Sequence, residues 1–249
     1  MTNNKMYIIA NWKMHDNSKS FKSLKRVAKL SNLKIFRKLK IIYCPTYTQI
    51  TELINIFRKS KVEIGAQNCH HISEEGPYTG KVNARIIKKT GAKFVIIGHS
   101  ETRSCGETLK NINHKIKSAI KENLKVILCI GETSSDKRKN KTKKVIERQI
   151  ITALKNNNIK ENLFIAYEPV WAIGSGIIPT NKELKFNLDL IKKILSKIGK
   201  KNIDILYGGS VNPKNINSLI KIKTLKGFLV GTASLNTKKF IDIIKKLIN

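Results

Sequence analysis

Acidic side chains are scarce in this chain. Seventeen Asp and Glu stand against 49 Lys and Arg, a formal charge of +32. An excess of that size attracts polyanions of any kind through its field alone. The marks of a nucleic-acid reader are nevertheless missing. The basic residues are spread along the whole chain with no basic tail, and only seven of them are arginine, the side chain that forks onto phosphates and base edges. Lys, Ile and Asn are abundant together, and all three have codons rich in A and T. The basic surface therefore reads as compositional drift, with nucleic-acid binding non-specific at most. No run of 18 apolar residues occurs, so no membrane-spanning helix is indicated. The four cysteines, Cys44, Cys69, Cys105 and Cys129, form no CxxC pair, which speaks against a disulfide framework or a zinc site. The apolar run 7–10 is too short, and too soon followed by Lys13, for a signal peptide, so a cytoplasmic location is expected.

Apolar, β-branched runs alternate with longer segments of helical period. The strand candidates are 7–11, 40–44, 63–66, 94–97, 126–130, 164–167, 203–207 and 228–230. Most are near-continuous apolar runs, as strands buried on both faces are. The helix candidates between them are 18–33, 48–59, 83–90, 109–122, 142–156, 181–198, 213–220 and 238–247, with apolar residues every three to four positions, as at Leu184, Leu188, Ile191 and Leu195. Pro213 is expected in a first helical turn, and the lysine-rich run 136–144 on a solvated helix face. Eight such pairs in 249 residues predict an α/β fold, a (β/α)8 barrel, as a single domain over 1–249. The rival is a doubly wound sheet, against which no GxGxxG follows the first strand.

In a (β/α)8 barrel the chemistry sits at the C-terminal ends of the strands. Those ends carry the unusual residues: Asn11-Trp12-Lys13, Gly98-His99-Ser100-Glu101, Glu168, Gly208-Gly209-Ser210 and Gly231-Thr232. Each has an ordinary explanation as a strand terminus, a turn or a solvated charge; five on one face are hard to assign to chance. Glu168 ends an apolar run, Pro169 stops the strand, and Gly174-Ser175-Gly176 follows, which suits a general base under a mobile lid. The glycine segments after the seventh and eighth strands let backbone N–H groups approach a phosphate. The set suits proton abstraction next to a carbonyl in a small phosphorylated substrate, with Glu168 as base, His99 as polariser and Lys13 as cation. No metal cluster is evident; His70 and His71 read as a surface loop, their side chains set apart by adjacency.

The ordered pieces Asn11-Trp12-Lys13-Met14, Gly65-Ala66-Gln67-Asn68, Tyr78-Thr79-Gly80, Gly98-His99-Ser100-Glu101, Cys129-Ile130-Gly131-Glu132, the stretch 167–174, Tyr207-Gly208-Gly209-Ser210 and Gly227-Phe228-Leu229-Val230-Gly231 resemble the triosephosphate isomerases over essentially the whole chain. The resemblance implies a TIM barrel and the interconversion of dihydroxyacetone phosphate and D-glyceraldehyde 3-phosphate through an enediolate, in glycolysis and gluconeogenesis. It implies Glu168 as the base, His99 as the electrophile, kept neutral by a helix beginning after it, and Lys13 as the cation. Asn11 would be a hydrogen-bond donor and Glu101 a site carboxylate that orients Lys13. Gly174, Ser210, Gly231 and Thr232 would hold phosphate through backbone N–H groups. It further implies no cofactor, a lid over 169–177, and a homodimer in which the Tyr78-Thr79-Gly80 tip enters the partner near Lys13.

Several positions depart from the family pattern. Ile177 and Ile178, followed by Pro179, occupy the C-terminal hinge of the lid. Thr232 replaces a second glycine, so either its backbone is ordinary or phosphate is held less well. Thr102 replaces an arginine, and Lys226, just ahead of the last strand, replaces an acid and removes an ion pair. Two other functional classes stay open at this level. One is a different phosphate-binding barrel enzyme, such as a Schiff-base aldolase using Lys13; the other is a polyanion-binding protein that keeps the barrel as a scaffold.

Overall fold

The computed structural model describes residues 5–157 and 163–248. The strands are β1 (Met6–Asn11), β2 (Leu39–Cys44), β3 (Glu63–Ala66), β4 (Phe94–Ile97), β5 (Lys125–Ile130), β6 (Leu163–Tyr167), β7 (Asp204–Tyr207) and β8 (Leu225–Val230). They pair in parallel and in chain order, and β8 pairs with β1 to close the barrel. The helices are α1 (Phe21–Asn32), α2 (Ile50–Phe57), α3 (Ala84–Lys89), α4 (Ser100–Ser104), α5 (Leu109–Lys121), α6 (Ser134–Arg138), α7 (Thr142–Leu154), α8 (Asn181–Lys197), α9 (Ile216–Leu219) and α10 (Thr237–Lys246).

Side chains on a strand alternate between its two faces, and here both faces are buried. Ile8, Ile41, Val95, Val126, Ile165 and Ile205 pack outward in one apolar layer with the helices. Their neighbours Ile9, Ile42, Ile96, Ile127, Ala166 and Leu206 pack with one another in a second set, the barrel interior. Extending the interior register by one step past Ile9, Ala166, Leu206 and Leu229 reaches Asn11, Glu168, Gly208 and Gly231. The strand period therefore delivers site residues to the mouth of the barrel with no further device.

The helices form where the sequence supplies both a stripe and a cap. In α8, Leu184, Leu188, Ile191 and Leu195 are buried against the barrel. The Thr180 hydroxyl accepts from the Glu183 N–H at 3.2 Å, and the Glu183 carboxylate accepts from the Thr180 N–H at 3.0 Å. This reciprocal pair starts the helix.

Three local expectations are corrected. The run 136–144 is not one helix face: α6 ends at Arg138, Asn140 adopts φ 54°, and α7 starts at Thr142. A left-handed Asn breaks the helix between two lysine-rich pieces. Pro213 is not in a first helical turn, because α9 begins at Ile216, where Asn212 and Asn215 close the preceding turn through their side chains. Lys226 lies inside β8 and not ahead of it, because the strand begins at Leu225.

Candidate active site

A cavity of about 560 Å³ opens at the C-terminal ends of the strands, lined by Asn11, Lys13, His99, Glu168, Gly174, Ser210, Gly231 and Thr232 among others. Every residue expected to act on or bind the substrate is there. Glu101 is not part of the wall and reaches the site through Lys13.

Glu168 follows β6 in the interior register. Its backbone N–H donates to Ile130 O at 2.7 Å, and the next strand is bound by Gly208 N–H to Tyr167 O at 2.9 Å. Two glycines leave room for it. A Cβ on Gly131 would stand 1.8 Å from the Glu168 carbonyl oxygen, and one on Gly208 would stand 2.6 Å from Glu168 Cγ. The side chain is almost fully buried, and its Oε2 has no hydrogen-bond partner among the described residues. Desolvation raises its pKa; His99, a hydrogen bond with the Cys129 thiol, and Lys13 act in the opposite direction. A carboxylate held this way is a stronger base than one in water.

His99 caps α4. Its Nδ1 accepts from the Glu101 N–H at 3.2 Å. An accepting Nδ1 carries no proton, so the hydrogen-bond network assigns a neutral ring with its proton on Nε2. Nε2 points at Glu168 Oε1 from 3.6 Å. The short helix expected after Ser100 is α4, and it supplies the donor that sets this tautomer. Arg103 anchors the same turn, donating to Gly98 O at 2.7 Å and to Cys129 O at 2.8 Å.

Lys13 sits at φ 54°, an uncommon backbone state for a residue with a side chain. Three bonds hold it: its N–H to Asn11 Oδ1 at 3.0 Å, its carbonyl to Gln67 Nε2 at 2.7 Å, and its ammonium to Glu101 Oε1 at 2.6 Å. Gln67 also donates to Cys44 O at 3.0 Å. Nothing local in the sequence marks Gln67 for this role; only the fold brings it under Lys13.

On the phosphate side the picture is mixed. Thr232 is not among the residues at positive φ and opens a short 3-10 turn, so its backbone is ordinary and no cost attaches to the threonine. The Ser210 N–H, expected to face phosphate, donates instead to Ala172 O at 3.1 Å. It becomes available only if the segment holding Ala172 moves. Lys214 and Lys239 also line the cavity. Neither stood out from sequence, because each is one lysine in a lysine-rich chain.

Trp171 Nε1 donates to buried Glu132 Oε1 at 2.9 Å, and the Tyr167 hydroxyl donates to Glu132 Oε2 at 3.1 Å. Burial raises the Glu132 pKa, while these hydrogen bonds lower it. The segment 174–177 beyond Trp171 is exposed. Among the described residues no group of His, Cys, Asp and Glu could hold a metal ion. His70 and His71 do lie in a partly exposed loop, but their rings stand 4.4 Å apart and are not splayed as adjacency suggested.

Fold and pocket together define a (β/α)8 barrel enzyme built for acid–base chemistry. The model of the family described as triosephosphate isomerase matches residues 6–247, and the chain belongs to that family. It is 40% identical to the triosephosphate isomerase of Thermodesulfovibrio yellowstonii over 97% of this chain and 99% of that one. It is 38% identical to that of Wolbachia pipientis, over 96% and 93%. The crystal structure of triosephosphate isomerase from Bartonella henselae superposes with a TM-score of 0.88 at 32% identity, covering 98% of this chain and all of that one. The chain is thus an isomerase.

Two expectations follow from the packing around Glu168. Gly208→Ala should fold and lose about 100-fold in kcat, because its Cβ displaces the carboxylate by a fraction of an ångström or more; near-native turnover would show that Glu168 has slack. Glu168→Gln removes a desolvated charge. Since the folded pKa lies above the unfolded one, ionisation costs stability as pH rises through that interval. The Gln variant should melt above the native protein at neutral pH, with the gap closing in acid below the ordinary glutamate value of 4.5. A gap independent of pH would contradict the assignment.

Proposed function

We propose that this chain interconverts dihydroxyacetone phosphate and D-glyceraldehyde 3-phosphate, the whole chain acting as one catalytic domain, without a cofactor, in the cytoplasmic steps of glycolysis and gluconeogenesis. The observation that carries this is the juxtaposition of a desolvated carboxylate and a neutral imidazole, 3.6 Å apart, beside a lysine in one cavity.

The carboxylate of Glu168 takes a proton from the carbon next to the carbonyl. The electron pair moves to the carbonyl oxygen, where the Nε2–H of His99 donates a hydrogen bond. A neutral imidazole is suited to this, because it can hand its proton to the forming oxyanion and take one from the neighbouring hydroxyl. The ammonium of Lys13, aimed by Glu101, offsets the charge of phosphate and enediolate in a water-poor space. Asn11 supports the Lys13 backbone and offers an amide donor. Glu168 returns the proton to the adjacent carbon. Phosphate would sit on the backbone N–H groups of Gly174, Gly231 and Thr232, joined by Ser210 once the Ala172 contact is released. Closure of 169–177 would then keep water away and suppress phosphate loss.

A homodimer fits the surface beside the site. Met14 is 93% exposed next to Lys13, and Tyr47 and Tyr78 each expose 40%. An apolar side chain so placed is a natural contact for the Tyr78 loop of a second copy. Two subunits of +32 repel, so the dimer should dissociate at very low ionic strength and re-form as salt screens the charge beyond about 10 Å. Analytical ultracentrifugation across salt decides this; a monomer at every salt concentration would exclude the dimer.

The primary test is a coupled assay with D-glyceraldehyde 3-phosphate. The native protein should turn over, and Glu168→Asp should lose about 100-fold or more in kcat while folding normally, since the shortened side chain withdraws the base. Near-normal turnover by the Asp variant would remove Glu168 from this role.

A further inference from the structure

Lys137, on α6, touches both ends of the lid. Its ammonium stands 3.7 Å from the centroid of the Trp171 ring and 3.0 Å from Glu183 Oε1. Trp171 lies at the start of the segment whose exposed part is 174–177, and Glu183 lies in the first turn of α8 just beyond it. The Trp171 indole is also tied on its edge to Glu132 at 2.9 Å. Behind this junction runs a groove of about 520 Å³ lined by Trp171, Phe186, Lys143 and Lys182.

We infer that Lys137 is a positioning residue that latches the lid in its open state by bridging Trp171 and Glu183. The inference rests on the lid reading proposed above. Glu183 is fixed in a helix N-terminus by its capping role, so it keeps the ammonium in place. A Trp171 ring that swings toward the pocket must leave that ammonium behind, and the cation–π contact is lost. An interaction made in the open state alone shifts the population toward it and weakens every ligand that needs closure. Both Lys137 and Glu183 are about two-fifths exposed, at 41% and 43%, so the latch is modest and sensitive to salt.

The test uses Lys137→Met, which keeps an unbranched stem against the ring, and Glu183→Gln, which retains an acceptor for the helix cap. The probe is glycerol 3-phosphate, an unreactive ester close to the substrate in size, followed by tryptophan emission and, independently, by calorimetry. Only two tryptophans are present, and Trp12 lies between two cavity residues, so emission is read in a Trp12→Phe background, where a change reports Trp171. Lys137→Met should bind the ester about threefold more tightly, the scale of an exposed cation–π contact. KM should fall in the same proportion while kcat does not rise. Glu183→Gln should move affinity the same way by less, and the double variant should add nothing to Lys137→Met. Raising salt should narrow the gap between native and variant. Lys137→Met that folds and binds with native or weaker affinity overturns the latch; should it fail to fold, unchanged affinity in Glu183→Gln does so. The lid itself is judged separately in the Trp12→Phe parent. Calorimetric binding with no change in emission would remove the lid, and the latch with it. An emission change in that parent alongside a native-like Lys137→Met removes the latch alone.

Discussion

An open parallel sheet leaves two edges of unpaired backbone groups, and eight strands remove both by closing β8 onto β1. Everything else in this molecule depends on that closure. It turns the period of two along each strand into an inside and an outside. The outward side chains meet the helices; the inward ones must fill a small, dry space with one another. Where the strands run out, the same inward register continues for one more residue, into the cavity at their C-terminal ends. Asn11, Glu168, Gly208 and Gly231 reach the cavity for that reason alone.

The cavity then exposes a conflict between solvation and charge. Glu168 is taken almost entirely out of water, which favours its protonated form, while His99, Lys13 and the Cys129 thiol favour the ionised form. Backbone bonds fix its main chain, and the two flanking glycines leave the room that the side chain occupies. His99 is constrained in turn by the N-terminus of α4, and Arg103 ties that turn to the end of β5. Lys13 is held in a left-handed backbone state by Asn11 and Gln67. Glu168, His99 and Lys13 are therefore each held in place by neighbouring groups, the kind of arrangement preorganised catalysis requires.

The segment after β6 shows the opposite design. Residues 174–177 are exposed, yet the segment is tied at both ends. Trp171 and Ala172 are engaged on one side, through Glu132 and Ser210, and the capping pair of Thr180 and Glu183 closes the other.

The strand ends, the order of strands and helices, and the gathering of Lys13, His99 and Glu168 at one end of the barrel were legible from sequence, because apolar period and strand-terminal polar residues are local properties; most strand starts were not, β8 beginning three residues earlier than its apolar run suggested. So was the short helix after Ser100. The helix break at Asn140 and the late start of α9 were not, because they turn on single side-chain hydrogen bonds and one left-handed residue. The accommodation of Thr232 and the support of Lys13 by Gln67 were equally hidden. The sequence by itself determined the barrel, since the burial pattern is written residue by residue. Only the tertiary structure decided the tautomer of His99, the desolvation of Glu168, the engagement of Ser210 and the bridge made by Lys137. Each of those is a relation between segments far apart in the chain, and a distance between two side chains has no local signature.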